Sequence, residues 1–239
     1  MARKLRTAPP GIPQHIHRVA RSGLTVLADE EDKRIYLEAL SEYAARYEVA
    51  IHAWGMTATQ LQVLVTPQTS NGISSMLQAT GRMYAQHFNT KYTHRGGIWQ
   101  DRYKASLILS DEYLLAVYRY IDRLMFCPQQ VQEHEQTPIH SSAQENKYGM
   151  GQSVVTPHSS YLGLGDTPSQ RQQAYHALYA TLLPPELVAQ IEKALRMSLA
   201  LGDEHFIKRL EHVIGRRLLE GKPGRPRKTP APGNEQRIA

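Results

Sequence analysis

The stretch Val49–Pro67, VAIHAWGMTATQLQVLVTP, places the tightest constraint on what this chain can fold into. It reads as two strands, Ile51–Met56 and Gln60–Thr66, joined by a tight polar turn at Thr57–Thr59. β-branched and aromatic residues alternate with small or polar ones in both arms, which suits half-buried sheet strands. Because successive strand side chains alternate faces, Gln60 and Gln62 project from one side while Leu61 and Val63 point to the other. A polar–apolar–polar triplet can hold a metal or a phosphate, or can simply turn two amides to solvent.

The flanking segments extend the pattern. Pro9-Pro10-Gly11 marks a lead-in, and His15–Val19 reads as a first strand. His15-Ile16-His17 puts two imidazoles on one face, and the plain reading is a pair of surface histidines. Asp29 is an N-cap for an amphipathic helix to Tyr47, with Ile35, Leu37, Leu40, Tyr43, Ala44 and Tyr47 at helical spacing. Ser70-Asn71-Gly72 opens a second helix from about Ile73 to Tyr92, which Gly96-Gly97 breaks. Tyr103–Ser110 is a fourth strand, and Asp111 caps a third helix, Glu112–Met125, carrying Tyr113, Tyr118 and Tyr120. The order βαββαβ followed by a helix predicts an α+β, ferredoxin-like antiparallel sheet with two helices on one face.

Beyond this unit (residues 1–128), residues 129–156 are rich in Gln, Ser, His and Glu and read as a polar linker. Residues 157–219 hold three helical patterns, Thr167–Leu182, Pro184–Leu199 and Asp203–Leu219, expected to form a small helical appendage. Residues 220–239 combine Gly, Pro and charge and are expected to be a disordered basic tail.

Charge narrows the partners. The net charge is +6, which favours a polyanion. Basic residues cluster at both ends: Arg3, Lys4 and Arg6 at the start, and Lys208, Arg209, Arg216, Arg217, Lys222, Arg225, Arg227 and Lys228 at the finish. The run Lys222-Pro223-Gly224-Arg225-Pro226-Arg227-Lys228 has the thin, extended character of AT-hook peptides, which lay arginines into a narrow A·T minor groove; a tail that grips phosphates without sequence preference is the alternative. Arg82, Lys91, Arg95, Arg102 and Lys104 frame the second helix and fourth strand, interleaved with Trp99 and Tyr103, which could stack on unpaired bases or anchor the core. The single cysteine, Cys127, cannot form an internal disulfide. No apolar run reaches the roughly 18 residues of a membrane span and no signal peptide precedes the first strand, so a cytoplasmic, nucleoid-associated bacterial protein without a membrane partner is expected.

Several segments, taken in order, resemble the REP-associated tyrosine transposases, relatives of the single-tyrosine HUH transposases. They are DEEDKRIYLEAL, IHAWGMTATQLQVLVTP, GRMYAQHFNTKY with GGIWQDRYKASLI, YLLAVYRYIDR, PHSSYLGLG and GRRLLEGKPGRPRK. The resemblance implies cutting of single-stranded DNA beside palindromic hairpins by a tyrosine that becomes joined to the 5′ end. It also implies a divalent metal, Mg²⁺ or Mn²⁺, that polarises the phosphate.

By this resemblance the nucleophile falls on Tyr120, the two metal-binding histidines on Gln60 and Gln62, the third ligand on Leu124, and the asparagine before the triplet on Thr59. A neutral amide pair makes a poor Mg²⁺ site, and leucine cannot ligate at all. The family's Arg-Gly-Asn-Asn turn is replaced by Val19-Ala20-Arg21-Ser22, and its Leu-Asn-Pro-Val-Arg run by Arg123-Leu124-Met125-Phe126-Cys127. The departures cluster at the catalytic centre. The expected protein therefore binds hairpin, single-stranded or A·T-rich DNA, leaning inactive as an enzyme, with the active single-tyrosine transposase as the alternative. A replacement metal site donated by His15 and His17, and a homodimer made by exchanging the third helix, are further expectations to test.

Overall fold

The computed structural model describes residues 8–123, 140–150, 154–215 and 217–220. Its first unit is β1 (Gln14–Val19), α1 (Glu30–Arg46), β2 (Val49–Met56), β3 (Gln60–Pro67), α2 (Gly72–Lys91) and β4 (Lys104–Ile108), the βαββαβ order expected from the sequence. The four strands lie side by side as β2-β3-β1-β4, every neighbour antiparallel. Asp29 caps α1 by accepting from the Asp32 amide. The third helix, α3 (Asp111–Asp122), is capped by Ser110, one residue before the expected Asp111.

Each sheet face has its own core. Ile16, Ile51, Trp54, Met56, Leu61, Val63 and Val65 pack beneath α1 and α2, with Tyr36, Leu40, Ile73, Met76 and Tyr84 above them. On the other face Ala53, Leu64 and Ile108 meet Leu114, Val117, Tyr118 and Ile121 of α3. Ile51 and Trp54 are three apart yet share a face because β2 shifts register between Ile51 and Ala53. That bulge re-aims His52. Gly55 lets α3 lie close, since a Cβ there would meet the Ile121 carbonyl oxygen at 2.9 Å.

The later described elements pack onto this unit. Inside the stretch expected to be a linker, β5 (His140–Ser141) pairs with β2 and α4 (Ala143–Tyr148) follows it. α5 (Ser159–Leu162), α6 (Pro168–Ala180) and α7 (Pro185–Met197) are the next helices. Tyr161, Tyr175, Ile191 and Ala194 from these helices complete the core over α3. β6 (Ala200–Leu201) then adds to β4 in parallel, before α8 (Glu204–Ile214). The sheet becomes six-stranded among the described residues, in the order β5-β2-β3-β1-β4-β6.

Candidate functional site

The face of the sheet beneath α3 carries the residues singled out by sequence. Gln60 and Gln62 project from β3 as the alternation predicts, and His15 and His17 project from β1 to the same side. The antiparallel register sets His17 opposite Gln62 and His15 opposite Leu64. The side chains then pair diagonally. His15 Nε2 donates to Gln62 Oε1 at 2.7 Å, and His17 Nε2 donates to Gln60 Oε1 at 2.8 Å. An amide oxygen can only accept, so both imidazoles carry their proton on Nε2.

These histidines are not the surface pair that the sequence suggested. His15 is fully buried, and Gln62 is buried beside it. Burial holds the His15 imidazole down to about 3 and depresses His17 in the same direction, so both rings stay neutral. The result is a neutral hydrogen-bonded ladder across two strands. It explains why two polar side chains per strand are tolerated in a sheet interior, where an unpaired polar group is costly.

Tyr120 stands over this ladder. Its ring meets His15 edge to face at 5.8 Å between centroids, and its hydroxyl donates to Glu192 Oε1 of α7 at 3.4 Å. Two residues on, Asp122 is wholly buried and accepts from Ser142 Oγ at 2.5 Å, Tyr175 Oη at 2.7 Å and Asn146 Nδ2 at 3.0 Å. Burial pushes this carboxyl up to about 6. Asp122 thus ties α3 to the α4 segment and to α6, fixing the helix that carries Tyr120. Nothing in its spacing announced this hub, because its three partners lie far along the chain.

The ladder also decides how the implied metal fits. Mg²⁺ and Mn²⁺ want several oxygen ligands, usually with carboxylates among them. Here each candidate amide oxygen already accepts an imidazole N–H, and each imidazole turns its protonated nitrogen to the amide. Among the described residues, no three His, Cys, Asp or Glu side chains group as metal ligands. Leu124 lies outside the described residues. The replacement site meets its geometric condition, since His15 and His17 do share the glutamines' face. It fails the chemical one, since the Nε2 lone pairs are absent. The residues present do not fit the metal.

Of the basic residues, Arg3, Lys4, Arg6, Arg216, Lys222, Arg225, Arg227 and Lys228 lie outside the described residues. Arg217 is exposed after α8, and Arg82 and Arg95 are exposed along α2 and its following loop. Lys91 is engaged elsewhere: its Nζ bonds Asp29 at 2.8 Å, Glu31 at 2.9 Å and Asp32 at 3.1 Å, tying α2 to α1. Arg102 lines a groove of about 1180 Å³ on the opposite sheet face, between α2 and β4, whereas Lys104 stands opposite His17 in the β1–β4 register. Sequence reasoning did not find Arg18 or Gln14 there, although their parity on β1, opposite to His15 and His17, was the available signal.

Residues 13–123, the span from β1 to the end of α3, match the family model of the IS200-like transposases. Over that span, a little under half of the chain, the protein is similar to the IS200-like transposases. The remaining described elements lie beyond the match and pack onto that span. No curated protein matches the chain. Among solved structures, a REP-associated tyrosine transposase bound to a REP hairpin is 17% identical, covering 67% of this chain and 96% of its own, with a TM-score of 0.49. A Deinococcus radiodurans protein described as a transposase is 21% identical, covering 51% of this chain and 97% of its own, with a TM-score of 0.36. A bacterial tRNA(His) guanylyltransferase-like protein in complex with GTP is 11% identical, covering 56% of this chain and 74% of its own, with a TM-score of 0.39.

Proposed function

We propose that this protein is a transposase-derived DNA-binding protein that recognises single-stranded or palindromic, REP-type hairpin DNA without cutting it. The observation that carries the reading is the His15–Gln62 and His17–Gln60 ladder, which stands where the family would hold its catalytic metal. Tyrosine is a weak nucleophile at neutral pH, and its attack on a phosphodiester depends on a Lewis acid or base to manage the charge. Neutral amides supply neither, and burial leaves the His15 imidazole a weak base. Glu192 beside the Tyr120 hydroxyl adds a negative charge that repels a phosphate diester. The similarity to the IS200-like transposases and the +6 net charge support DNA as the partner.

The test is incubation of the protein with a hairpin-flanked single strand and Mg²⁺ or Mn²⁺, run on a denaturing gel beside Tyr120→Phe. The expected outcome is no covalent protein–DNA band from either, with hairpin binding retained by both on a native gel. A covalent band that disappears in Tyr120→Phe would instead establish the active single-tyrosine enzyme, for which the placement of Tyr120 above the ladder is the favouring observation.

A further inference from the structure

We infer that Arg119, Arg123 and Lys147, gathered where α3, α4 and α6 meet, bind a doubly charged phosphate group. Inorganic phosphate, mononucleotides and 5′-phosphorylated nucleic-acid ends all carry that group. The inference stands apart from the DNA-binding reading above, because it rests on unanswered charge within the protein.

Two sets of contacts gather the three cations. Arg119 Nη2 and Arg123 Nη1 both donate to the carbonyl of Thr181, the C-cap of α6, Arg123 at 3.4 Å. The Arg123 guanidinium and the Lys147 ammonium then share one ring, lying 4.9 Å and 4.2 Å from the Tyr179 centroid. Arg119, Arg123, Lys147 and Tyr179 are all half-buried, so the cluster is held by packing yet open to solvent. Lys147 and Tyr179 lie outside the span similar to the transposases, so the site belongs to the C-terminal region as much as to α3.

Three like charges brought this close repel one another unless something answers them. Among the described residues, none of the three makes an ion pair with a carboxylate. Burial holds Arg119 below the usual guanidinium range, and the neighbouring Arg123 charge pushes the same way while Tyr175 opposes. The carbonyl end of α6 supplies roughly half a negative charge. The buried Asp122 carboxyl acts on Lys147 from within, but its oxygens already accept from Ser142, Asn146 and Tyr175. Counted as a full charge, it and the helix end together answer about half of the cluster. A phosphate monoester carries about −1.5 to −2 at pH 7 on three acceptor oxygens, which matches the remainder. A carboxylate or an internal phosphodiester, each singly charged, leaves part of it unanswered. The guanidinium forks suit phosphate oxygens in geometry, and the ammonium adds a point charge.

Thermal unfolding of the full chain in inorganic phosphate and in chloride, at equal ionic strength, is the first arm of the test. Phosphate should raise the wild-type melting temperature, as a ligand of the folded state does. Arg123→Gln and Lys147→Gln should each abolish that rise while still unfolding cooperatively, and either folded variant suffices. The second arm is fluorescence anisotropy with one labelled oligonucleotide bearing either a 5′-phosphate or a 5′-hydroxyl. A nucleic-acid end as the source predicts about tenfold tighter wild-type binding of the phosphorylated form, the size of one charged hydrogen bond, and no gap in the variants. A phosphate-dependent rise in melting temperature without that gap would assign the site to free phosphate or a mononucleotide. A wild type indifferent to phosphate in both arms would overturn the inference. So would folded variants that lose stability in chloride yet respond to phosphate as wild type does, since the three cations would then only cap α6. Failure to bind either oligonucleotide would break the DNA-binding reading alone, because the first arm decides the site.

Discussion

The two faces of the sheet treat buried polarity differently. Beneath α3, four polar side chains of β1 and β3 pair with one another in a neutral ladder under Tyr120 and α7, leaving His15 Nδ1 as its one buried ring nitrogen without a partner among the described residues. Beside α2, the same strand β1 sends Gln14 and Arg18 to a groove where one amide and one indole donor remain unpaired. Both faces derive from one six-residue strand whose alternating side chains serve two surfaces. The closed face resembles a core and the open one an interface.

The largest way to stress this contrast is acid. Burial lowers His15 from 6.5 to about 3. Between those values the unfolded chain binds a proton that the folded one refuses, so stability is fully present above about 6.5 and is lost as pH falls toward 3. Each pKa unit corresponds to roughly 1.4 kcal/mol, so the effect runs to several kcal/mol. Asp122, raised from 3.8 to about 6, works the other way: its contribution is present below 3.8 and fades as pH rises through 6. Melting temperatures from about pH 4 to 7 should therefore show a flatter acid limb in His15→Gln and a steeper one in Asp122→Asn. An unchanged limb in His15→Gln would mean that the ladder does not bury its histidine as described.

Two glutamines of nearly equal burial give the next comparison. Gln62 is 3% exposed and Gln14 is 2% exposed. Gln62→Leu leaves the buried His15 Nε2–H without its acceptor and should cost about 1–3 kcal/mol in urea denaturation. Gln14→Leu removes a donor that already lacks a partner and should cost less, within about 0.5 kcal/mol of wild type. Equal losses would show that the groove floor is as tightly satisfied as the ladder, and the distinction between the faces would fail.

The sheet was legible because its signals are local. Alternation in Val49–Pro67, the Asp29 cap and the glycine breaks are each read within a few residues, and they place β2, β3, α1 and α2 to within two residues of the expected bounds. The site was half legible. Parity put Gln60 and Gln62 on one face, and the same rule applied to β1 put His15 and His17 on a common face. Whether the two pairs faced each other depended on the β1–β3 register, which no single strand encodes. How the C-terminal helices pack on α3 was not legible for the same reason. Tyr161, Tyr175 and Ile191 look like ordinary helix residues until α3 is beneath them, and β6 is a two-residue strand with no periodicity to detect.

Lys91 sharpens the comparison by the smallest effect. Sequence position grouped it with Arg102 and Lys104 as a DNA contact, yet its ammonium is engaged by Asp29, Glu31 and Asp32 at the α1–α2 junction. A cation already answered by three carboxylates contributes little field for a phosphate to sense. Its pairs are partly exposed, so they are screened by salt. Lys91→Ala should therefore lower the melting temperature modestly at low ionic strength, and the loss should shrink at about 1 M salt. Its affinity for a flanked hairpin should match wild type, whereas Arg102→Ala should weaken binding and reduce the salt slope by about one phosphate contact. A drop in affinity for Lys91→Ala as large as that for Arg102→Ala would extend the DNA-binding surface from the groove around α2 to the α1 side. The open face would then be a continuous basic surface rather than one bounded groove.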